Sequence, residues 1–434
     1  MRPILVLFEN LRYASYWFID LLKGQEIKKH TKDISFILEN FSSAKSIEKR
    51  KKSLVSLIEH AKQTTNFYNK YNGFETFPVI NKNLIRDQLT NFQSEIFKAK
   101  KNKAVSTSGS TSVALKLYQN QNKVNRNTAD SIYFGKLAGF KIGYKLLYLR
   151  HWDDNLSRPP FVKFMQNVDE LEVTKLNDAY IDSVIENITK DSSTKGWIGY
   201  PSGYELICKY LDKTQSKPFH SNVKSIIAMS ENLNSYTKKT MQKYFGVPAV
   251  SRYSTMETGI VAQQQINCNH YIVNWASYYV EIFKIDEDKP AEKHELGRIV
   301  VTDLYNYAIP VIRYDTGDLG IIDYTVTPPV LKHVEGRKSD VIYNTKGEII
   351  SSFIITNVVE YKGIKQGQLI QEQQKEYVLK LNSTDEFNEK AKLLKQFKGF
   401  LGNDANIKIE YVNEIPRLSS GKQKATINNF IKNT

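Results

Sequence analysis

The spacing of apolar residues changes along the chain. Up to about residue 97, apolar positions recur at helical intervals, and from residue 225 onward short apolar runs alternate with helical and then β-rich stretches. After residue 340 the chain turns to short strands and lysine-rich helices such as 385–397. We predict an α/β fold: a large N-terminal domain of β-sheets flanked by helices, plus a small mobile C-terminal α+β domain.

The change of pattern places the domain boundaries. We predict an N-terminal core over 1–336, a hinge over 337–340 and a C-terminal domain over 341–434. No Gly/Ser-rich or Pro-rich linker separates the two parts, which favours a short, directional hinge over a tether.

Individual elements carry their own signals. Asn234 and Gly246 are typical of the start and end of a helix, and the apolar runs 226–229 and 247–250 around it predict strands. A short strand is predicted at Ala104 and Val105. Further strands are predicted at 278–283, 298–302 and 311–314.

The N-terminal apolar run 4–8 is interrupted by Glu9, Asn10 and Arg12 and is too short to span a bilayer, so a docked helix is predicted. An apolar stripe follows on the same helix, and we expect it to pack on the core. Contact with a membrane surface is left open but is not predicted. The stripe consists of Tyr13, Tyr16, Trp17, Phe18, Leu21 and Leu22.

Composition narrows the class of protein. The chain has 434 residues, of which 41% are hydrophobic and 12% aromatic, enough for a globular protein with more than one core. Cys208 and Cys268 are too few for a disulfide framework, so a cytoplasmic location is expected. The net charge of +15 comes from scattered lysines without a nucleic-acid-binding motif, so no nucleic acid partner is expected. The charge would attract anionic substrates.

A hydroxyl-rich loop carries the first candidate site. Its side-chain hydroxyls, and backbone N–H groups freed by a glycine, suit the β and γ phosphates of ATP, and Lys116 can add positive charge. The loop lacks the Gly-Lys-Ser/Thr spacing of a Walker A motif. A serine-rich surface turn would leave the same sequence pattern. The loop residues are Thr107, Ser108, Gly109, Ser110 and Thr111.

Four later turns supply complementary groups. Glu257 suits Mg²⁺, and Tyr253 in the same turn can stack on adenine. Asp318 can accept hydrogen bonds from two ribose hydroxyls, and Arg337 can reach the same sugar or a phosphate. Lys422, in a glycine turn, can bring an ammonium to a carboxylate and the α-phosphate. Each turn alone could be structural, and their joint order points to activation of a carboxylic acid by ATP.

With these motifs the chain resembles the adenylate-forming superfamily of acyl-CoA synthetases, adenylation domains and luciferases. Within it, the sequences 253–257, 297–304, 310–318 and 416–422 are similar to phenylacetate-CoA ligase and, more closely, to the CapK-like proteins associated with capsular polysaccharide synthesis. The resemblance spans about residues 60–430.

The resemblance implies roles for these residues. Thr107–Ser112 and Lys116 would bind phosphates, and the turn from Tyr253, with Ser254 and Thr255, would contact the nucleotide. Glu257 would hold Mg²⁺, Asp318 the ribose, and Arg337 the nucleotide. Lys422 would be the adenylation lysine, and Ser339 the hinge about which the C-terminal domain rotates.

Three further residues are predicted near the substrates. Glu231 ends a Met-Ser-Glu segment that follows a predicted strand and would present backbone groups to adenine. By resemblance, Tyr200 lies in a wall of the acyl and nucleotide pocket and His270 lies near the acyl group. A plain turn and a core histidine are the alternatives for these two.

The expected reaction joins a small carboxylic acid, ATP and Mg²⁺, and then transfers the acyl group. Coenzyme A is the first candidate acceptor, and an amine or hydroxyl, giving an amide or ester, is the second. Ser112, Ala114 and Ser254 replace a glycine, a proline and a glycine that are usual in the family. Ser112 and Ser254 keep a third hypothesis open, a non-catalytic relative that retains the fold.

Overall fold

The computed structural model describes residues 2–106, 115–152, 157–337, 341–350, 353–418, 422 and 424–430. Its helices are α1 (Arg2–Leu22), α2 (Glu26–Glu39), α3 (Ala44–Thr64), α4 (Lys82–Asp87), α5 (Leu89–Phe92), α6 (Glu95–Lys98), α7 (Gln121–Leu137), α8 (Pro160–Gln166), α9 (Asp178–Lys190), α10 (Pro201–Lys213), α11 (Ser235–Phe245), α12 (Phe353–Thr356) and α13 (Lys390–Leu401).

The strands of the N-terminal part are β1 (Lys103–Ser106), β2 (Lys116–Gln119), β3 (Lys145–Arg150), β4 (Val168–Glu172), β5 (Lys195–Gly199), β6 (Val223–Met229), β7 (Ala249–Thr255), β8 (Gly259–Gln264), β9 (Tyr271–Val273), β10 (Tyr278–Phe283), β11 (Gly297–Asp303), β12 (Tyr314–Asp323) and β13 (Val330–Arg337). The C-terminal strands are β14 (Ile342–Tyr343), β15 (Ile349–Ile350), β16 (Ile364–Gln371), β17 (Glu376–Ser383), β18 (Asn406–Tyr411) and β19 (Thr426–Asn428).

An eleven-stranded sheet organises the N-terminal domain, in the order β10-β11-β12-β13-β9-β8-β7-β6-β5-β3-β4. The strands from β4 to β7 are parallel, and those from β7 to β10 are antiparallel. The parallel half is built from strand–helix units, so its carboxyl ends meet at one edge, where such sheets bind ligands. This edge carries the cleft described below.

The C-terminal domain has its own four-stranded sheet, in the order β18-β17-β16-β19, and its own apolar core. Leu369, Leu379 and Phe397 lie in that core and are at most 1% exposed. The predicted large α/β domain with a small C-terminal α+β domain is confirmed. The hinge predicted at 337–340 stays a prediction, and its key residue, Ser339, lies outside the described residues.

Local signals gave the bounds of α11 correctly. The Asn234 side chain accepts a hydrogen bond from the Thr237 backbone N–H at 2.7 Å, and Gly246 ends the helix with φ 74°. The strand predicted at 311–314 is wrong for its first three residues, because Arg313 has φ 51° and regular pairing begins only at Tyr314. The helix predicted at 385–397 runs instead over α13, 390–401.

The expected packing of the N-terminal stripe on the core is wrong for its outer half. Tyr16 and Trp17 are half-buried, whereas Phe18, Leu21 and Leu22 are exposed by 59%, 49% and 72%. Helix α1 is held to the protein through polar groups on its other side, which fixes its rotation. Among the described helices, none is long and apolar enough to cross a membrane.

Candidate functional site

A cleft of 330 Å³ separates the large sheet from the C-terminal domain. Segments that follow β5 and β6, together with residues of β7, β12 and β13, form one wall. The other wall comes from the C-terminal domain, including Gly367, Leu418 and Thr426. Six of the residues predicted from the sequence line this one cleft: Glu231, Tyr253, Ser254, Asp318, Arg337 and Lys422.

Asp318 and Arg337 are direct cross-strand partners in the pairing of β12 with β13. The Tyr253 hydroxyl lies 3.0 Å from Asp318 Oδ2, to which it donates, and also 3.0 Å from Thr316 Oγ1. Burial raises the pKa of Asp318 to about 6, while the Tyr253 hydrogen bond and the positive charge of Arg337 act in the opposite direction. Two distant turns of the sequence therefore meet at one carboxylate.

Lys422 brings the C-terminal domain into the same cleft. Its Nζ lies 5.8 Å from the ring centroid of Tyr200, a buried residue at the start of α10. Burial lowers the pKa of Lys422, the charges of Glu231 and Asp318 raise it, and that of Arg337 lowers it. The Lys422 ammonium therefore lies in the same cleft as Glu231 and Asp318, and both of these acids belong to the opposite wall.

Glu231 follows a backbone turn at the end of β6. The preceding Ser230 has φ 70°, a conformation that costs free energy for a residue other than glycine. The carboxylate Oε2 of Glu231 accepts a hydrogen bond from the Ser202 backbone N–H, at 2.9 Å, in the first turn of α10. This hydrogen bond connects the end of β6 to α10, and both residues line the cleft. The adenine contact predicted for this segment remains a prediction.

Glu257 does not line the cleft, but its charge helps to raise the pKa of Asp318. It is 9% exposed, and its Oε1 accepts a hydrogen bond from the Tyr314 hydroxyl at 3.1 Å. The hydroxyls of Thr255 and Thr258 are hydrogen-bonded to each other at 2.9 Å. Ser254 lies in strand β7 without a positive φ, so the serine that replaces the usual glycine is not strained there.

Two predicted residues lie apart from the cleft. Lys116 is exposed on β2 opposite Ser106, so β1 and β2 form the arms that flank the hydroxyl loop. His270 is exposed, with its Nε2 3.1 Å from the Cys268 Sγ, and it does not line the cleft. The loop residues Thr107, Ser108, Gly109, Ser110 and Thr111, with Ser112 and Ala114, lie outside the described residues.

Sequence reasoning missed two arginines at the site. Arg252 lines the cleft from β7, where its Nε donates to Gln263 Oε1 at 2.7 Å, and burial lowers its pKa to about 10. Arg417 Nη1 donates to Ser202 Oγ at 3.1 Å and so joins the C-terminal domain to α10. Arg252 directly precedes the segment 253–257, and Arg417 lies within the segment 416–422, but only their three-dimensional positions reveal these contacts.

The charged side chains of the cleft suit a nucleotide, and Glu257 is the candidate ligand for Mg²⁺. Arg252, Arg337 and Lys422 place three cationic side chains around one cleft, and the carboxylate of Asp318 lies on the wall formed by the large sheet. Within the described ranges, no group of three or more His, Cys, Asp or Glu side chains is arranged to hold a metal by itself. A lone carboxylate such as Glu257 suits Mg²⁺, which usually takes one or two carboxylates with phosphates and water.

Comparisons with known proteins agree with this architecture. Residues 342–429 match the family described as the CapK C-terminal domain. Protein CapK of Staphylococcus aureus is 20% identical over 365 residues, which cover 80% of this chain and 79% of that protein.

Among solved structures, 2-hydroxyisobutyryl-CoA ligase in the postadenylation state, in complex with R3-HIB-AMP, matches with a TM-score of 0.71. The match has 13% identity and covers 89% of this chain and 90% of that one. The chain has the fold of the adenylate-forming enzymes. The same ligase in its thioesterification state gives a TM-score of 0.57, with 16% identity over 90% of this chain and 91% of that one. The arrangement of the adenylate-forming fold seen here is therefore more similar to the postadenylation state.

Proposed function

We propose that this protein is an adenylate-forming ligase that activates a small carboxylic acid with ATP. The observation that supports this most directly is the meeting of Lys422 with Asp318 and Arg337 in one cleft between two domains. Lys422 lies at the far end of the sequence, so this proximity is a property of the fold. The fold also places the cation and the carboxylate that the reaction needs, Lys422 and Asp318, on opposite walls of the cleft.

In the proposed first step, an oxygen of the substrate carboxylate attacks the α-phosphorus of ATP. The bond from that phosphorus to the bridging oxygen breaks, and pyrophosphate leaves with the bonding electrons, giving an acyl-adenylate. Asp318 holds the ribose, and Arg337 and Lys422 offset negative charge on the reacting oxygens. Glu257 would hold Mg²⁺, which would withdraw charge from the phosphates when bound.

In the proposed second step, the thiol of coenzyme A attacks the acyl carbonyl, loses its proton to solvent and displaces AMP. The similarity to a CoA ligase supports the thiol as acceptor. The similarity to CapK supports a role in building cell-surface polysaccharide, the pathway implied by the resemblance of the sequence. An acceptor with an amine or hydroxyl would replace the thioester by an amide or ester.

The test is pyrophosphate exchange with a panel of carboxylic acids that includes uronic acids and amino acids. We expect exchange of labelled pyrophosphate into ATP only when a suitable acid and Mg²⁺ are present. AMP release that then requires coenzyme A would identify the thiol acceptor, whereas release with sugar amines or alcohols would identify the second class. Binding of ATP without exchange for any acid would contradict an enzymatic role.

The raised pKa of Asp318 predicts a pH dependence of ATP binding. An ionised carboxylate accepts hydrogen bonds from two ribose hydroxyls, and the protonated acid accepts them less well. The affinity for ATP should therefore fall as the pH drops through about 6. Stability should change in the opposite direction: the folded-state pKa is raised, so this group favours folding most at low pH, and its contribution is lost as the pH rises through about 6.

Titrating ATP binding and denaturant unfolding across this range measures both effects. Asp318→Asn cannot ionise and should flatten both profiles around pH 6, while lowering ATP affinity at neutral pH. A wild-type pH profile retained by Asp318→Asn would show that another group is responsible.

Removing the hydroxyl of Tyr314 should weaken the Mg²⁺ site. That hydroxyl donates to Glu257 Oε1, and burial raises the Tyr314 pKa, which keeps the group protonated as a donor. Loss of such a partner to a metal ligand typically costs about 10- to 100-fold in metal affinity. Tyr314→Phe should therefore need about tenfold more Mg²⁺ for half-maximal exchange, while Tyr324→Phe, on an exposed ring, should need the same amount as wild type. An unchanged requirement in Tyr314→Phe would contradict the role of Glu257.

A further inference from the structure

Helix α1 turns polar groups toward the protein. Glu9 and Asp20 are only 7% and 4% exposed. The Glu9 carboxylate accepts a hydrogen bond from the Thr194 backbone N–H at 2.8 Å, and Asp20 accepts two, from the backbone N–H groups of Ile27 and Lys28 at 3.1 and 3.0 Å. A surface helix usually packs its apolar side inward, so α1 has the reverse orientation.

The outward side of α1 is apolar. Six large side chains on it are 51% to 72% exposed: Ile4, Leu7, Phe8, Leu11, Phe18 and Leu22. Their spacing of three and four residues, interrupted only around Ser15, places them along one face of the helix. An exposed apolar face of this length on a folded protein marks an interaction surface.

A second group of exposed apolar side chains lies beside α1. On α8, Phe161, Phe164 and Met165 are 73%, 70% and 54% exposed. Asn167, directly after α8, donates from Nδ2 to the carbonyl of Gly143 at 3.2 Å. A Cβ on Gly143 would lie 2.3 Å from the Glu9 carbonyl oxygen, so the end of α8 and the middle of α1 meet at this glycine.

The charge of this surface selects its partner. Glu9 and Asp20 are the only acids of residues 2–23, and both are buried and hydrogen-bonded, while the other charged residues there are the basic Arg2, Arg12 and Lys23. The whole chain carries a net charge of +15. An apolar helix face with basic neighbours and no exposed acid among residues 2–23 complements anionic lipid headgroups above an acyl layer.

We propose that α1 and the end of α8 form a membrane-binding surface that lies flat on an anionic lipid bilayer. The helix does not cross the bilayer, in keeping with the lack of a sufficiently long apolar helix among the described residues. The apolar side chains enter the boundary between headgroups and acyl chains, and the basic residues remain among the phosphates. This proposal does not depend on the proposed reaction.

The test is co-sedimentation of the full chain with vesicles of phosphatidylcholine containing phosphatidylglycerol, compared with vesicles of phosphatidylcholine alone. We expect binding to the anionic vesicles and little to the neutral ones. Phe8→Glu combined with Phe18→Glu should lower the partition coefficient by roughly 100-fold, since each buried aromatic ring contributes on the order of tenfold. Phe8→Ser with Phe18→Ser, which adds no charge, should lower it by a similar factor.

Phe400→Glu is the matched control, because it makes the same change at an exposed phenylalanine of the C-terminal domain, and it should bind like wild type. Thermal unfolding of all variants should match wild type, because the replaced rings are exposed. Three results would overturn the proposal: no binding of wild type to anionic vesicles, equal loss of binding in the control, or self-association in sedimentation velocity that both double variants abolish. The last result would assign the face to a second copy of the chain.

Discussion

Lys422→Ala is expected to lower acid-dependent pyrophosphate exchange by about two to three orders of magnitude. Removing one preorganised contact to charge that develops in a transition state typically costs about 3 to 4 kcal/mol. The residue is positioned for such a contact, since its ammonium reaches into the cleft near Asp318 and Glu231. The loss should fall mainly on kcat, with a smaller change in the KM for ATP.

Lys395→Ala provides the matched control. This lysine is exposed on α13 of the same domain, away from the cleft, so its replacement should leave exchange unchanged. Exchange at the wild-type rate in Lys422→Ala would contradict the proposed mechanism. A loss explained entirely by weaker ATP binding would instead assign Lys422 to nucleotide binding.

Asp303→Ala is expected to lower the free energy of unfolding of the N-terminal domain by about 3 to 5 kcal/mol. Asp303 and Lys123 are fully buried and form an ion pair with 2.7 Å between Oδ2 and Nζ. Lys123 also donates to the Thr258 carbonyl at 2.6 Å and the Tyr278 hydroxyl at 3.0 Å, which fastens α7 to the sheet. Removing Asp303 leaves the buried ammonium of Lys123 without its ion-pair partner, and that is the source of the large cost.

Denaturant unfolding measures this effect, and a double variant tests its cause. Lys123→Met with Asp303→Leu removes both charges and should recover much of the lost stability. Lys289→Met removes a lysine paired with Glu287 at 2.7 Å on the surface, and should change stability by less than about 1 kcal/mol. A double variant no more stable than Asp303→Ala would point to packing as the cause.

The parts of the fold that were predicted correctly depend on neighbours in sequence. The capping residues Asn234 and Gly246 fix α11 by contacts within one turn, and the run 278–283 forms β10 with those bounds. The start of β12 was misplaced because it depends on a distant segment: Ile80 N–H donates to the Arg313 carbonyl, and Asp315 N–H to that of Ile80. The sequence pattern contains no sign of this pairing.

The candidate site divides in the same way. Asp318, Arg337 and Lys422 were selected from the order of their motifs, and the fold brings them together. Arg417 was missed because its contact with Ser202 joins segments 215 residues apart. Arg252 was missed because its contact with Gln263, 11 residues on, depends on the register in which β7 pairs with β8. The outward side of α1 was misjudged because hydrophobicity alone does not show which face a helix buries; the hydrogen bonds of Glu9 and Asp20 decide it.

The contact between the two domains has a consequence for their response to heat. Polar contacts join them, among them Arg417 with Ser202 and Ser235 Oγ with Glu360 Oε1 at 2.5 Å, while each domain has an apolar core of its own. Separating the two domains therefore leaves both apolar cores intact. In a scanning calorimeter the free protein should show two endotherms, one for the unfolding of each domain. A non-hydrolysable acyl-adenylate analogue that contacts both walls of the cleft should merge them into a single endotherm.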